Sequence, residues 1–430
     1  MAVDQGLSGL NAAETQLNVI GNNISNASTV GFKSGAVQFA DVYANSLGGS
    51  GSSGNTQVGN GVTASNIAQS FTQGTISTSN NPLDIAINGG GFYRLSTNGS
   101  ISYSRAGQFH LSPTGAILTP TGANLTGYSA SASGVLNTGV VGNLVINTAN
   151  IPPAVTTTVT TGLNLNSSAP VLPAGAFSPT VPGSYSYSTS VGVYDSLGDE
   201  HSLETYYVNN GVSATAPTTG ENTWNVYATL DGTLVPAVAP AATAGQIATF
   251  VFNSSGAIDA TNSTPTSPTL TTPVSVTLPN GALPLNIAMT YAGTTQFSSA
   301  SAVNAQSQNG YASGQLTSFS AGADGTITGT YSNNATSVLG QIVLDNFVNP
   351  NGLQSIGNNQ WVQTQSSGVP LLGTPTSGTL GSLQSNAIER SNTDLTAELV
   401  NMITAQQDYQ ANAQTIKTAD QIAQIIETIR

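Results

Sequence analysis

The chain has 430 residues, 6% of them charged, with a net charge of −13, 47 Gly, 20 Pro and no Cys. Such a length allows two to four domains with ample core, and the lack of cysteine excludes disulfides, thiolate metal sites and cysteine catalysis. Six Lys and Arg, none of them between Arg105 and Arg390, cannot form the basic surface that phosphates require, so no nucleic-acid partner is expected.

The N-terminal stretch lacks the basic n-region and continuous apolar h-region of a cleaved secretory signal, and no window approaches 18 consecutive apolar residues. Neither a classical signal peptide nor direct membrane insertion is therefore expected. Leu10, Ala13, Leu17, Ile20 and Ile24 recur at steps of three and four, which predicts a helix over residues 4–27 with a narrow apolar seam suited to coiled-coil packing. Gly6, Gly9 and Gly21 lie inside it. Each costs about 0.8–1 kcal/mol relative to Ala, so this helix should depend on packing for its stability. Residues 48–61, GGSGSSGNTQVGNG, read as a flexible or extended loop.

From residue 75 the pattern changes to short strands. PLDIAING (82–89) and GFYRLS (91–96) flank the turn signal Asn88-Gly89-Gly90. Asn98-Gly99, Pro113-Thr114-Gly115, Pro120-Thr121-Gly122, Asp231-Gly232, Asn280-Gly281 and Asp324-Gly325 punctuate the strands further along. This spacing predicts antiparallel β-domains rather than βαβ units. Residues 151–289 form a separate compositional block, with Asp195, Asp199, Glu200, Glu204, Glu221, Asp231 and Asp259 and no Lys or Arg. The block reads as an acidic outer β-domain inserted into an inner one.

A second helix is predicted near the C-terminus. Leu395, Leu399, Met402, Tyr409, Ala413 and Ile416 form its seam, with Gln406 as the polar member, and Ile426 continues on a stripe that shifts after Ile416. Ser391 or Asp394 can cap it, and some 35 helical residues would span roughly 50 Å. Seams at both ends of a β-rich body predict that the termini pair and that their free faces bind further copies of the chain. The plainer reading is that each stripe buries its helix against its own domain.

Candidate chemistry is sparse. The run from Asp195 to His201 (DSLGDEH) is the densest polar cluster, but it matches no EF-hand loop or zinc pattern. With strand-like flanks it reads as a hairpin turn, and His201 is expected to lack a partner set. His110 alternates with apolar residues and reads as a strand-surface histidine. Asn88-Gly89-Gly90-Gly91 lacks the spacing of a phosphate loop, and nothing selects a carboxylate pair for glycoside hydrolysis. No catalytic, cofactor-binding or metal residue is expected, and the chain is not expected to be an enzyme. An extracellular glycan-binding β-protein would need an aromatic stripe, and aromatics are 6% of residues without clustering along the sequence.

Longer words in the sequence carry more. LNVIGNNISNASTVGFK (17–33) and DLTAELVNMITAQQDYQANAQTI (394–416) resemble the N- and C-terminal signatures of bacterial flagellar rod and hook axial proteins. PLDIAINGGGFYRL and YSRAGQFHLSPTGAILTPTGANLTGY resemble the first β-domain of that family. TYAGTTQFSS, QNGYASGQL, ADGTITGTYSNN and LGQIVLDNFVNPNGLQSIGNNQW resemble its hook members, as does the length with its large insert. Gln407 stands where relatives often carry a basic residue. The resemblance implies paired helical termini (1–30 and 391–430) as polymer core and an extended connector (31–74 and 366–390). It also implies an inner β-domain (75–150 and 290–365) and the inserted domain (151–289).

By function, the resemblance implies a structural subunit of a curved, flexible tube that acts as a universal joint between motor and filament, outside the cell and adjoining the basal body. Its implied partners are copies of itself, the distal rod protein, the hook cap, the hook–filament junction protein and the flagellar type III export apparatus. A straight distal-rod protein of the same family is the nearest alternative, and the acidic insert speaks against it.

Overall fold

Two terminal helices and a long series of short strands make up the chain in the computed structural model, which describes residues 2–42, 59–173, 175–214, 218, 220–238, 243–264 and 271–428. Helix α1 spans Ala2–Ser25 and helix α2 spans Leu395–Thr428. Of the two possible caps for α2, Asp394 is the one used. Its carboxylate accepts the N–H groups of Thr396 at 2.9 Å and Ala397 at 3.2 Å, two donors the first turn leaves open. Beyond α1 the chain turns at Gly31, where φ is +71° and a Cβ would lie 2.5 Å from the backbone nitrogen of Ala106, so a side chain has neither the conformation nor the room.

Most of the loop expected over 48–61 lies outside the described residues. On either side of it, Gly35–Asp41 pairs antiparallel with Val62–Gln69. Part of the stretch expected as a simple connector is thus a two-stranded sheet.

The chain forms two compact units, one of residues 1–148, 318–330 and 336–430, the other of residues 149–317 and 331–335. In the first, strands Thr336–Ile342, Asn124–Ser129, Phe92–Thr97, Ser100–Ser104, Gln360–Val362 and Gln354–Gly357 are successive antiparallel neighbours. Asn98 and Gly99, at φ +50° and +88°, make the tight turn their sequence announces. Asn358 and Asn359, both at +53°, make an equivalent turn just after Gly357, at +87°. Phe71, Phe92, Tyr103, Phe347 and Trp361 converge edge-to-face in the interior, with ring centroids 4.8 to 5.9 Å apart. Aromatics scattered along the sequence therefore cluster in space, as core.

The second unit contains an antiparallel sheet of Tyr187–Tyr194, Glu200–Val212, Asn222–Leu230 and Gln246–Phe252. A further sheet centres on Thr158–Asn166, which takes Ala302–Gln308 antiparallel and also Leu285–Thr290 and Thr295–Phe297 parallel. Parallel neighbours need a long crossover, supplied here by residues 167–284 rather than by a helix. Trp224, Tyr207, Phe250 and Tyr291 fill the core between these strands. The pairings carry the unit to residue 317, past the boundary at 289 drawn from composition. Thr295–Phe297 and Ala302–Gln308 carry no acids to mark them, yet they hydrogen-bond to Thr158–Asn166.

Candidate assembly interface

The terminal helices meet, antiparallel. Asn23, 1% exposed, donates from Nδ2 to Glu398 Oε1 at 2.9 Å and to the Gly35 carbonyl at 2.8 Å, and its Oδ1 accepts the Gly35 N–H at 2.9 Å. One side chain thereby ties α1, α2 and the two-stranded sheet together. Further along, a Cβ on Gly9 would lie 2.6 Å from Asn412 Oδ1, and one on Gly6 would lie 2.8 Å from Ile416 Cγ1. These two glycines are contact points that let the helices approach closely, whereas Gly21 has nothing within 4 Å of where its Cβ would be. The order Asn23–Glu398, Gly9–Asn412, Gly6–Ile416 sets the register and leaves the last turns of α2 extending past the start of α1.

On α1, Ala13 and Ile20 are buried and Leu10, Leu17 and Ile24 half-buried. On α2 the face toward α1 is Glu398, Met402, Ala405, Asn412, Ile416 and Ala419, at steps of three, four or seven. Met402 and Ile416 belong to the expected seam and Ala413 is half-buried beside them. Leu395, Leu399 and Tyr409 of the expected seam are exposed, Leu395 and Tyr409 although they fall on that same stripe by spacing. Ile426 lies in α2, but its side chain is outside what the structure describes. Other exposed apolar residues are Val3 and Leu7 on α1 and Val400, Ile403, Ile422 and Ile425 on α2.

Below the helices a buried ion cluster fixes the chain crossings. Glu389 Oε1 accepts Lys33 Nζ at 2.7 Å and the Gly74 N–H at 2.9 Å, while Oε2 accepts Arg105 Nε and Nη2, both at 3.1 Å. Lys33 also donates to the Thr72 carbonyl at 2.7 Å, and Arg105 Nη1 donates to the carbonyls of Gly89 and Gly91. Burial pulls the Lys33 ammonium below the usual lysine range, and the Glu389 carboxylate opposes that pull. A buried ion pair is tolerable only when its remaining donors and acceptors are satisfied, as they are here. Of six Lys and Arg, three (Lys33, Arg94, Arg105) pair with buried carboxylates, which sequence reading missed. Lys33 and Glu389 lie 356 residues apart, and the only hint was the scarcity of basic residues itself.

A cavity of about 440 Å³ lies beside α1, lined by Val19, Asn22, Phe32, Ile67, Phe71 and Leu353 among others, and its one charged group, Lys33, is already paired. His110 is an exposed strand residue. His201 does have partners, contrary to expectation: Asp231 Oδ2 at 2.7 Å and Asp195 Oδ2 at 3.5 Å. Among the described residues no group of three His, Asp or Glu side chains could hold a metal ion, and no helix is long and apolar enough to cross a membrane.

Four family models align along the chain: flagella basal body rod protein over 4–33, flagellar hook protein FlgE/F/G D1 domain over 86–163, flagellar basal body protein FlaE D2 domain over 164–311, and flagellar basal body rod FlgEFG protein C-terminal over 384–429. The flagellar hook protein FlgE of Escherichia coli K12 is 42% identical over 434 residues, covering 100% of both chains. That of Treponema pallidum is 31% identical, covering 99% of this chain and 98% of its own. The crystal structure of Helicobacter pylori flagellar hook protein FlgE2 superposes with a TM-score of 0.51 at 15% identity, covering 73% of this chain and 99% of its own, a likeness of fold.

Proposed function

The chain belongs to the flagellar hook protein family, an axial structural part of the bacterial flagellum, and from that membership we propose that it assembles with its own copies through the terminal helices. Residues 1–30 and 391–430 form the core of the polymer, joined by the connector to the inner and inserted β-domains. The assembled tube is curved and lies outside the cell, and works as a universal joint that passes torque to the filament. Its subunits leave by the flagellar type III export apparatus, and its ends meet the distal rod protein, the hook cap and the hook–filament junction protein. The role is structural, with no catalysis.

One observation carries this reading. The α1–α2 pair satisfies one face of each helix and leaves Leu399, Val400 and Ile403 of α2 facing solvent side by side in a lone chain. Such a contiguous apolar face costs solubility unless another surface covers it, and helix pairs that bury a second face do so in bundles. The double variant Leu399→Asp, Ile403→Asp should leave the lone chain folded, because both side chains are already exposed, and should abolish polymerisation. Electron microscopy of purified protein under assembly conditions reads the result. Tubes from the variant at wild-type yield would overturn the assignment, and straight rods from the wild type would point to the rod branch of the family instead.

A further inference from the structure

The second unit contains seven Asp and Glu residues and no Lys or Arg, so His201 is the one side chain in it able to carry positive charge near neutral pH. It stands at the start of strand Glu200–Val212, only 12% exposed, between two carboxylates. Nδ1 is 2.7 Å from Asp231 Oδ2, in the turn after Asn222–Leu230. Nε2 is 3.5 Å from Asp195 Oδ2, whose side chain is fully buried. Asp195 also accepts Asn280 Nδ2 at 2.6 Å and the N–H groups of Leu197 at 2.8 Å and Asp199 at 2.9 Å. Asn280 Nδ2 reaches Asp199 Oδ2 at 3.2 Å, and the Leu283 N–H donates to Ser196 Oγ at 2.9 Å. Three turns, 195–199, 231–232 and 280–283, therefore meet around one imidazole. A neutral imidazole has a single N–H and can serve one carboxylate, while the imidazolium has two and serves both.

We propose that His201 is a proton-operated clasp: as the imidazolium it holds the 195–199 turn to the Asp231 turn, and on losing its proton it releases the 195–199 turn together with the 280–283 loop bonded to it. The titratable groups that face the ring are Asp231 and Asp195; Asp199, linked through Asn280, and the adjacent Glu200 complete acidic surroundings that hold no base. Burial opposes the charged ring, but the two carboxylates outweigh it and its pKa is raised above 6.5. A raised imidazole pKa stabilises the fold fully below 6.5, and the contribution fades as pH rises through the shifted value. On the acid side burial opposes the Asp195 carboxylate too, yet the hydrogen bonds from Asn280, Asp199 and Leu197 hold it at about 2. Burial likewise opposes the Asp231 carboxylate, and its bonds with His201 and Ser202 hold it below 3.8. The clasp is therefore closed between the carboxylates' lowered range and the raised imidazole value, and opens as pH rises through the latter.

NMR of the full chain labelled at histidine Cε1 tests this, since only two histidines are present and His110→Gln identifies the other signal. The His201 signal should titrate with a midpoint above 6.5. Asp231→Asn, at a half-exposed position whose amide oxygen can still accept the Ser202 N–H, should lower that midpoint and reduce the loss of urea resistance between pH 6 and pH 9. A wild-type midpoint at or below 6.5, or one unmoved by Asp231→Asn in folded protein, would overturn the clasp. The wild-type midpoint decides alone if the variant does not fold.

Discussion

Asp345 is buried in strand Leu344–Asn346, and neither of its carboxylate oxygens has a hydrogen-bond partner among the described residues. Arg94 Nη1, at 3.7 Å, is the nearest compensation. Burial pushes the Asp345 carboxyl up to about 6, and Arg94 pulls back only in part. A carboxyl raised above its unfolded value of 3.8 favours the fold while protonated, so stability is full below that value and falls as pH rises through about 6. The displacement corresponds to roughly 3 kcal/mol. Asp345→Asn stays neutral throughout and should gain about 2–3 kcal/mol relative to the wild type on going from pH 4 to pH 8. Urea unfolding of both proteins at the two pH values measures this, and equal pH slopes would refute it. Glu389, equally buried, is the contrast in geometry: two cations and a backbone N–H satisfy both its oxygens.

Gly6, Gly9 and Gly21 look alike as helix-weakening residues in the sequence, yet they divide by face in the structure. At Gly21 a methyl group meets open space, so Gly21→Ala should stabilise the chain by about 0.5–1 kcal/mol through helix propensity. At Gly9 the α2 side chain of Asn412 already occupies that space, and Gly9→Leu should drive the helices apart and lower the thermal midpoint followed by far-ultraviolet circular dichroism. Equal responses of the two variants would mean the close crossing at Gly9 does not matter. The same contrast marks what was legible beforehand. Steps of three and four disclosed both helices, and Asn98-Gly99 disclosed its hairpin, because these signals are local. The face that α2 turns to α1 was not legible, since a stripe of Leu395, Leu399 and Met402 shows that a helix has an apolar side without saying what lies against it. Likewise the Asn23–Glu398 contact and the Lys33–Glu389–Arg105 cluster join residues hundreds of positions apart, which periodicity cannot register.

Charge divides the molecule as well. Every Lys and Arg lies in the first unit or at its ends, where Lys33, Arg94 and Arg105 stabilise buried carboxylates, while the second unit depends on apolar core and backbone pairing. The second unit begins and ends on neighbouring strands: Ile151 bridges Gly314 and Ala154 bridges Tyr311, antiparallel. Chain can therefore be removed inside those bridges without stretching the remainder, since closing a short loop costs little entropy. Replacing residues 155–310 by a short Gly/Ser linker should leave a soluble protein that keeps the helix pair, the Lys33–Glu389–Arg105 cluster and the aromatic core around Phe92. That shortened chain should still polymerise, because the residues proposed for assembly all lie in the first unit. Circular dichroism and electron microscopy decide the matter. A shortened chain that folds but forms no tubes would show that the second unit supplies contacts the helices cannot replace, and one that fails to fold would show that the first unit is not independent.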